Sequence, residues 1–390
     1  MKKIMSLSIL TVVGVLSAAI ATAQIKAQDV EHIKVYYEKG MYGGWPANNG
    51  IWIWGNEILV GFAKGFYKDL GPEYHNMDRE KPELHLMARS LDGGKGWTIE
   101  DPGTAGMVPD GIFMAVKRTD LPQQASKVLP EPINFAHPDF ALTARTNDID
   151  DGTSRYWYSY DRGHQWDGPF ELPDFGTKGT AARTDYIVEN ENECSMFITV
   201  SKENGKEGRP VYIRTLDGGK TWKLVSWIGP EPEGFSIMPA SVRLSKNELV
   251  VLLRRREKNQ RFIAAYSSKD NGQTWTHLAN PVEDTGIGNP PALVKMNDGL
   301  ICLIYGYRAD LGSITAKTKT SDIRAKLSSD GGQTWSEDYI LRSDGSGQDI
   351  GYPRVVQRPN GKIVALYYFM DNETGPERYI AASIWSPPAK

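Results

Sequence analysis

Two apolar runs of this 390-residue chain end in arginine. Val250-Val251-Leu252-Leu253 leads into Arg254-Arg255-Arg256, and the run from Ile301 to Tyr307 leads into Arg308. A guanidinium at a strand end is a planar fork of donors that can hold a carboxylate by two bonds at once. Arg324 and Arg354 stand near other strand-like starts, and Arg183 opens the polar cluster Arg183-Thr184-Asp185-Tyr186. Converging on one cavity, such groups suit an acidic sugar, either a sialic or a uronic acid. Taken singly, each also reads as an ordinary solvated arginine. Of six histidines, His75 and His137 fall in polar loop segments, the latter in His137-Pro138-Asp139. Histidine is a natural proton donor or acceptor near neutrality.

These groups need a scaffold that brings distant segments together, and the chain carries one in its repeats. The frame Ser/Thr-x-Asp-x-Gly-x-x-Trp occurs five times, with its aspartates at Asp92, Asp161, Asp217, Asp270 and Asp330. The Asp can accept backbone N–H bonds in a tight turn, and the Gly supplies a positive φ. The hydroxyl residue adds a local bond, and the Trp is a slab that can wedge between neighbouring units. Strand-like runs flank most copies, for example Phe262-Ile263-Ala264-Ala265-Tyr266 before the fourth. Each copy therefore reads as a hairpin turn in a repeated antiparallel sheet. Such motifs maintain architecture, while function sits on loops.

The frame resembles the Asp box of the sialidase (neuraminidase) superfamily, and the resemblance spans nearly the whole chain. It implies an all-β, six-bladed β-propeller. Five boxes account for five blades. The box-free tail supplies three more strand-like runs, at Arg354, Lys362 and Tyr379, and the alternating run His32-Ile33-Lys34-Val35-Tyr36-Tyr37 can complete a sixth blade. That closes the ring and removes free sheet edges. The segment Gly351-Tyr352-Pro353-Arg354, followed by Gly361-Lys362-Ile363-Val364, is similar to the sialidase segment that carries the tyrosine nucleophile. A neutral tyrosine suits attack at a carboxylated anomeric centre, where a carboxylate nucleophile would be repelled. The resemblance makes Asp78, in the loop before the first box, a candidate acid/base, with His75 as its rival. It makes Arg254 or Arg255 the second substrate arginine and Arg308 or Arg324 the third. Arg354, His137, Asp139, Arg183 and Asp185 are further substrate-binding candidates.

Two positions depart from the family pattern. Gly44-Trp45-Pro46-Ala47 stands where sialidases carry Arg-x-Pro, and Ile237-Met238-Pro239 stands where a Glu partners the tyrosine. The implied activity is an exo-acting glycoside hydrolase on terminal acidic sugars. Two alternatives stay open: a propeller polysaccharide lyase acting on uronate-containing glycans, and a non-catalytic glycan-binding propeller.

Composition bounds the rest. A formal net charge of −3, without blocks of like charge, argues against nucleic acid as partner. Met1-Lys2-Lys3, an apolar run to Ile20, and Ala21-Thr22-Ala23 read as a signal peptide over residues 1–23. The remainder, 24–390, reads as one exported domain, periplasmic or extracellular, and no later run is long enough for a membrane span. Cys194 and Cys302 read as two buried thiols in strand-like runs. No zinc-type spacing occurs, so neither a catalytic metal nor a cofactor is expected. The Pro- and Gly-rich stretch from Asp101 to Pro132 reads as a surface excursion near the central pocket.

Overall fold

The computed structural model describes residues 24–71, 74–102, 125–310 and 320–388. The signal-peptide segment 1–23 and most of the Asp101–Pro132 excursion lie outside the described residues.

Six antiparallel sheets succeed one another along the chain. The first blade pairs Met41–Gly44 and Ile51–Trp54 with Glu57–Phe66, then adds Leu84–Ser90 and Thr98–Glu100. The second shows Ala141–Thr146, Ser154–Ser159 and Asp167–Glu171. The third runs Thr180–Ala181 and Tyr186–Val188, Cys194–Ser201, Glu207–Thr215 and Lys223–Trp227. The fourth is the most regular: Phe235–Arg243, Leu249–Glu257, Gln260–Ser268 and Thr276–Val282. The fifth holds Ala292–Lys295, Ile301–Tyr307, Ser321–Ser328 and Asp338–Gly345. The sixth holds Gly351–Gln357, Ile363–Phe369 and Tyr379–Trp385, and its outer strand is Glu31–Tyr36 from the other end of the chain. The expected six-bladed β-propeller is borne out, with the ring closed by the predicted N-terminal strand.

Gln24–Lys26 adds a parallel strand to the edge of the fifth blade, with Gln24 opposite Asp338. The sequence gives no signal for this pairing, because three residues are too few to show alternation.

The boxes lie where the repeat chemistry puts them. Each joins the last two strands of its blade. In the fourth, Ser268 Oγ donates to Asp270 Oδ1 (2.7 Å), while Gly272 N donates to Ser268 Oγ (2.8 Å) and Thr274 N to Asp270 Oδ1 (2.9 Å). The box glycines Gly94, Gly163, Gly219, Gly272 and Gly332 all have positive φ, and so does the residue before each, including the non-glycines Arg162 and Asn271. The box tryptophans wedge against the preceding blade, as Trp275 does against Phe197 and Tyr212 and Trp166 does against Trp52. Buried apolar residues gather into six clusters, one for each blade-to-blade interface. Cys194 and Cys302 are buried free thiols in two of them.

Candidate active site

The innermost strands of four blades are interrupted. The first blade interrupts its inner strand with the short 3-10 turn Pro46–Asn48. The third leaves a gap between Ala181 and Tyr186. The fourth and sixth slip register between Ile237 and Ala240 and between Gly351 and Arg354. At these breaks stand Trp45, Arg183, Met238 and Tyr352, and all four line one cavity of about 380 Å³. Trp45, Met238 and Tyr352 each hold a positive φ (55°, 53° and 48°) and each precedes a proline. Such a backbone costs a non-glycine residue about 1–3 kcal/mol and collects where side-chain aim matters. Here it turns three large side chains out of the strand pattern and into the cavity.

Tyr352 is anchored through its backbone. Its N–H donates to Asn289 Oδ1 (2.9 Å), and Asn289 Nδ2 donates to Ile350 O (2.9 Å). Its hydroxyl oxygen accepts from Arg254 Nη1 at 2.8 Å. Arg254 makes no ion pair among the described residues, and its guanidinium also lies over Phe235.

His75 stands edge-on to Tyr352, ring centroids 5.9 Å apart, and edge-on to Trp45 at 5.2 Å. Its Nδ1 lies 2.8 Å from Asp349 Oδ1. An ionised carboxylate only accepts, so Nδ1 carries the proton and Nε2 presents a lone pair. Asp349 is buried and also accepts from Arg308 Nη2 (3.0 Å), Arg378 Nε (3.1 Å), Tyr42 and Tyr368. Burial alone would raise its carboxyl, but His75, Arg308 and Arg378 overcome that and hold it far below the usual range. Burial, aided by Arg308 and Arg79, lowers His75 against the pull of Asp349 and so favours the neutral ring.

The cavity carries a second set of charges. Arg183 pairs with Glu207 and donates Nε to Asn48 Oδ1 (3.1 Å). Arg79 lies over the Trp45 ring, 5.0 Å from its centroid, and 3.6 Å from Glu83 Oε2. Asp150 binds Lys206 and the Glu207 N–H at the rim.

The cavity thus gathers Tyr352, His75, Arg254 and Arg183 from among the sequence candidates. The others stand elsewhere. Asp78 does not line it; the Glu80 N–H, then Lys68 and Lys81, hold that carboxyl low. Arg255, one residue out of phase with Arg254, turns to Tyr266 and Glu257 on the face toward the third blade. Arg308 lies behind the cavity floor, spent on Asp349, Gln348 O and Gly288 O. Arg324 is neutralised by Asp322 (2.7 Å) and Asp338 (3.2 Å) in an outer groove. Arg354 bonds the Ala47 and Thr184 carbonyls and shares a separate chamber with Asp185, whose carboxyl burial pushes up to about 6. His137 packs on Tyr160, and Asp139 binds Arg162 of the second box.

Sequence reasoning missed Asp349, Arg79, Glu83 and Glu207 as site groups. Asp349 had one signal, a carboxylate three positions before Tyr352. The others had none, since loop spacing does not fix where a side chain points.

A ring of six blades with Asp-box turns and a polar cavity on its axis is a sialidase-like propeller. The chain belongs to the BNR repeat-like domain family, whose model matches residues 140–365. No curated protein matches the chain. Among solved structures it is similar to a protein of unknown function from Dyadobacter fermentans, with 19% identity over 91% of this chain and 98% of that one (TM-score 0.65). It is similar to Trypanosoma rangeli sialidase in complex with sialic acid, with 12% identity, 93% and 59% coverage, and a TM-score of 0.56. It is also similar to Penicillium chrysogenum alpha-L-arabinanase complexed with arabinobiose, with 15% identity, 91% and 97% coverage, and a TM-score of 0.56. At these identities the likeness establishes the fold alone.

Proposed function

We propose that the protein is an exported glycoside hydrolase, exo-acting on terminal acidic, sialic-acid-like sugars of glycans. The observation that carries this is the Tyr352 hydroxyl oxygen 2.8 Å from Arg254, a cation with no carboxylate partner among the described residues. Arg254 can hold a substrate carboxylate and favour negative charge on the phenolic oxygen as it attacks. In this reading His75, edge-on to the Tyr352 ring at 5.9 Å, takes the phenolic proton, with Asp349 bonded to its Nδ1. The glycan-acting neighbours from Trypanosoma rangeli and Penicillium chrysogenum support a sugar as the ligand of such a cavity.

The second reading is a uronate lyase. It is favoured by His75, which lines the cavity, bonds Asp349 through Nδ1 and is shifted toward its neutral form by burial, the form that could remove a carbon-bound proton. Incubation with α-sialosides, glucuronides and uronate polysaccharides decides among the readings. A hydrolase releases free acidic sugar without new ultraviolet absorbance. A lyase leaves an unsaturated, absorbing uronate, and a binding propeller retains glycan without cleaving it. Release of neutral sugars alone would sink the acidic-substrate reading.

A further inference from the structure

We infer that Glu83 is the proton donor to the leaving group, the role for which the sequence offers Asp78 and His75. The inference rests on the hydrolase reading above. Glu83 immediately precedes the strand Leu84–Ser90 and lines the same cavity as Tyr352. Its side chain is 4% exposed, and its Oε2 accepts no hydrogen bond from the described chain. The nearest cation, Arg79, is 3.6 Å away and lies over Trp45, whose ring meets the edge of His75. One chain of contacts thus runs from Tyr352 through His75, Trp45 and Arg79 to Glu83, and both ends line the cavity.

A carboxyl buried without a hydrogen-bond donor on Oε2 is pushed toward its protonated form. Burial raises Glu83, and Arg79 and Arg145 oppose that without overcoming it. Arg145 is itself buried behind the wall, bonded to His85 Nδ1 and to Asn49. Asp78 is in the reverse condition: three acceptor contacts stabilise its anion, so it has no proton to give. A protonated acid facing a sugar cavity has glycosidic and hydroxyl oxygens as its natural partners.

The steps balance. Glu83 passes its proton to the glycosidic oxygen as the C–O bond breaks. The Tyr352 oxygen bonds to the anomeric carbon, and the phenolic proton goes to His75 Nε2. In the second half, the Glu83 carboxylate takes a proton from water as the water oxygen displaces the Tyr352 oxygen. That oxygen recovers its proton from His75, and both groups return to their starting state.

The test is Glu83→Gln on two substrates sharing one acidic sugar, a sialyl-galactoside and 4-nitrophenyl α-sialoside. A lost general acid costs about 10²–10⁴-fold on the sialyl-galactoside, whose leaving alcohol needs protonation. Turnover of the nitrophenyl substrate, which leaves as a stable anion, should fall by less than ~10-fold by the same logic. The melting temperature of the variant at pH 7 should rise. A raised folded-state carboxyl is most favourable below its unfolded value and loses that advantage as pH climbs, whereas Gln never ionises. An equal fall on both substrates, or no fall on either, overturns the assignment. If the unaltered protein cleaves neither sialoside, the sialoside-hydrolase reading fails on its own. Difference infrared spectroscopy of the protein against Glu83→Gln at neutral pH then judges Glu83. A carboxylic-acid band that vanishes in the variant supports the stored proton, and its absence overturns it.

Discussion

The Arg254 guanidinium reaches the Tyr352 hydroxyl oxygen at 2.8 Å across the cavity, where the sialidase pattern leads one to expect a carboxylate beside the tyrosine. The neighbouring fourth-blade strand supplies Ile237 and Met238 at that place, so the phenolic oxygen meets a cation on one side and apolar wall on another. A tyrosine acting as nucleophile in this setting needs its proton taken by another group, and the proposed hydrolase mechanism gives that part to His75, edge-on to the Tyr352 ring at 5.9 Å.

Replacing Arg254 separates the two arginines that the sequence could not. Arg254→Met should lower kcat/KM on acidic glycosides by about 10–10²-fold, the worth of a charge-assisted bond of ~1.5–3 kcal/mol. Arg255→Met should leave kcat/KM unchanged, because that side chain is bound to Tyr266 and Glu257 away from the cavity. Steady-state kinetics on one acidic and one neutral glycoside check both. Equal effects of the two substitutions would mean that the strand register is misassigned.

Asp349→Asn removes the negative centre between Arg308, Arg378 and His75. Breaking a buried pair of this kind costs about 3–5 kcal/mol. The sign of the pH dependence follows from the depressed carboxyl. Its stabilisation is present above the ordinary aspartate range near 4 and is lost as pH falls through the folded value. Urea midpoints measured from pH 7 down to pH 3 should therefore drop more steeply in the parent than in the variant.

What the sequence made legible follows the range of the interactions involved. The boxes are local, with donors within four residues of the aspartate, so their turns and the blade count could be read directly. Ring closure was legible because His32 to Tyr36 alternates and the tail lacks one strand. Tyr352 and His75 sit at strand and loop starts that any propeller turns toward its axis. The Asp349 cluster was not legible, because its partners Tyr42, His75, Arg308 and Arg378 are contributed by blades one, five and six. Arg308 shows the same limit. It ends an apolar run just as Arg254 does, but a buried carboxylate claims it and leaves the cavity to its counterpart.

Asp270→Ala tests the boxes as structure. Bonds from Thr274 and Ser268 hold this exposed carboxyl down at about 2. Its contribution is present above the ordinary aspartate value and is lost as pH falls through 2. The substitution should lower the melting temperature at pH 7 and leave the glycan affinity of the folded protein unchanged. Normal melting with lost binding would make the box part of the site.

Export gives a covalent test. If residues 1–23 are removed as a signal peptide, the mature protein should begin at Gln24, the first residue of the edge strand opposite Asp338. Intact-mass measurement of the exported protein should match that start, and a mass retaining Met1 would refute it.

Tyr352→Phe isolates one oxygen atom. The ring packs against His75 at 5.9 Å and Tyr368 at 5.7 Å, contacts that phenylalanine keeps. The backbone anchor through Asn289 is also unaffected. Only the bond from Arg254 is lost, a change of about 1–3 kcal/mol in stability at most. If the phenolic oxygen is the attacking atom, turnover should fall by several powers of ten, each worth ~1.4 kcal/mol in the barrier. A burst of leaving group from the parent, absent in the variant, would show the tyrosyl intermediate directly. Near-normal turnover in Tyr352→Phe with an unchanged melting curve would end the tyrosine-centred mechanism, leaving His75 as the group that acts on substrate itself.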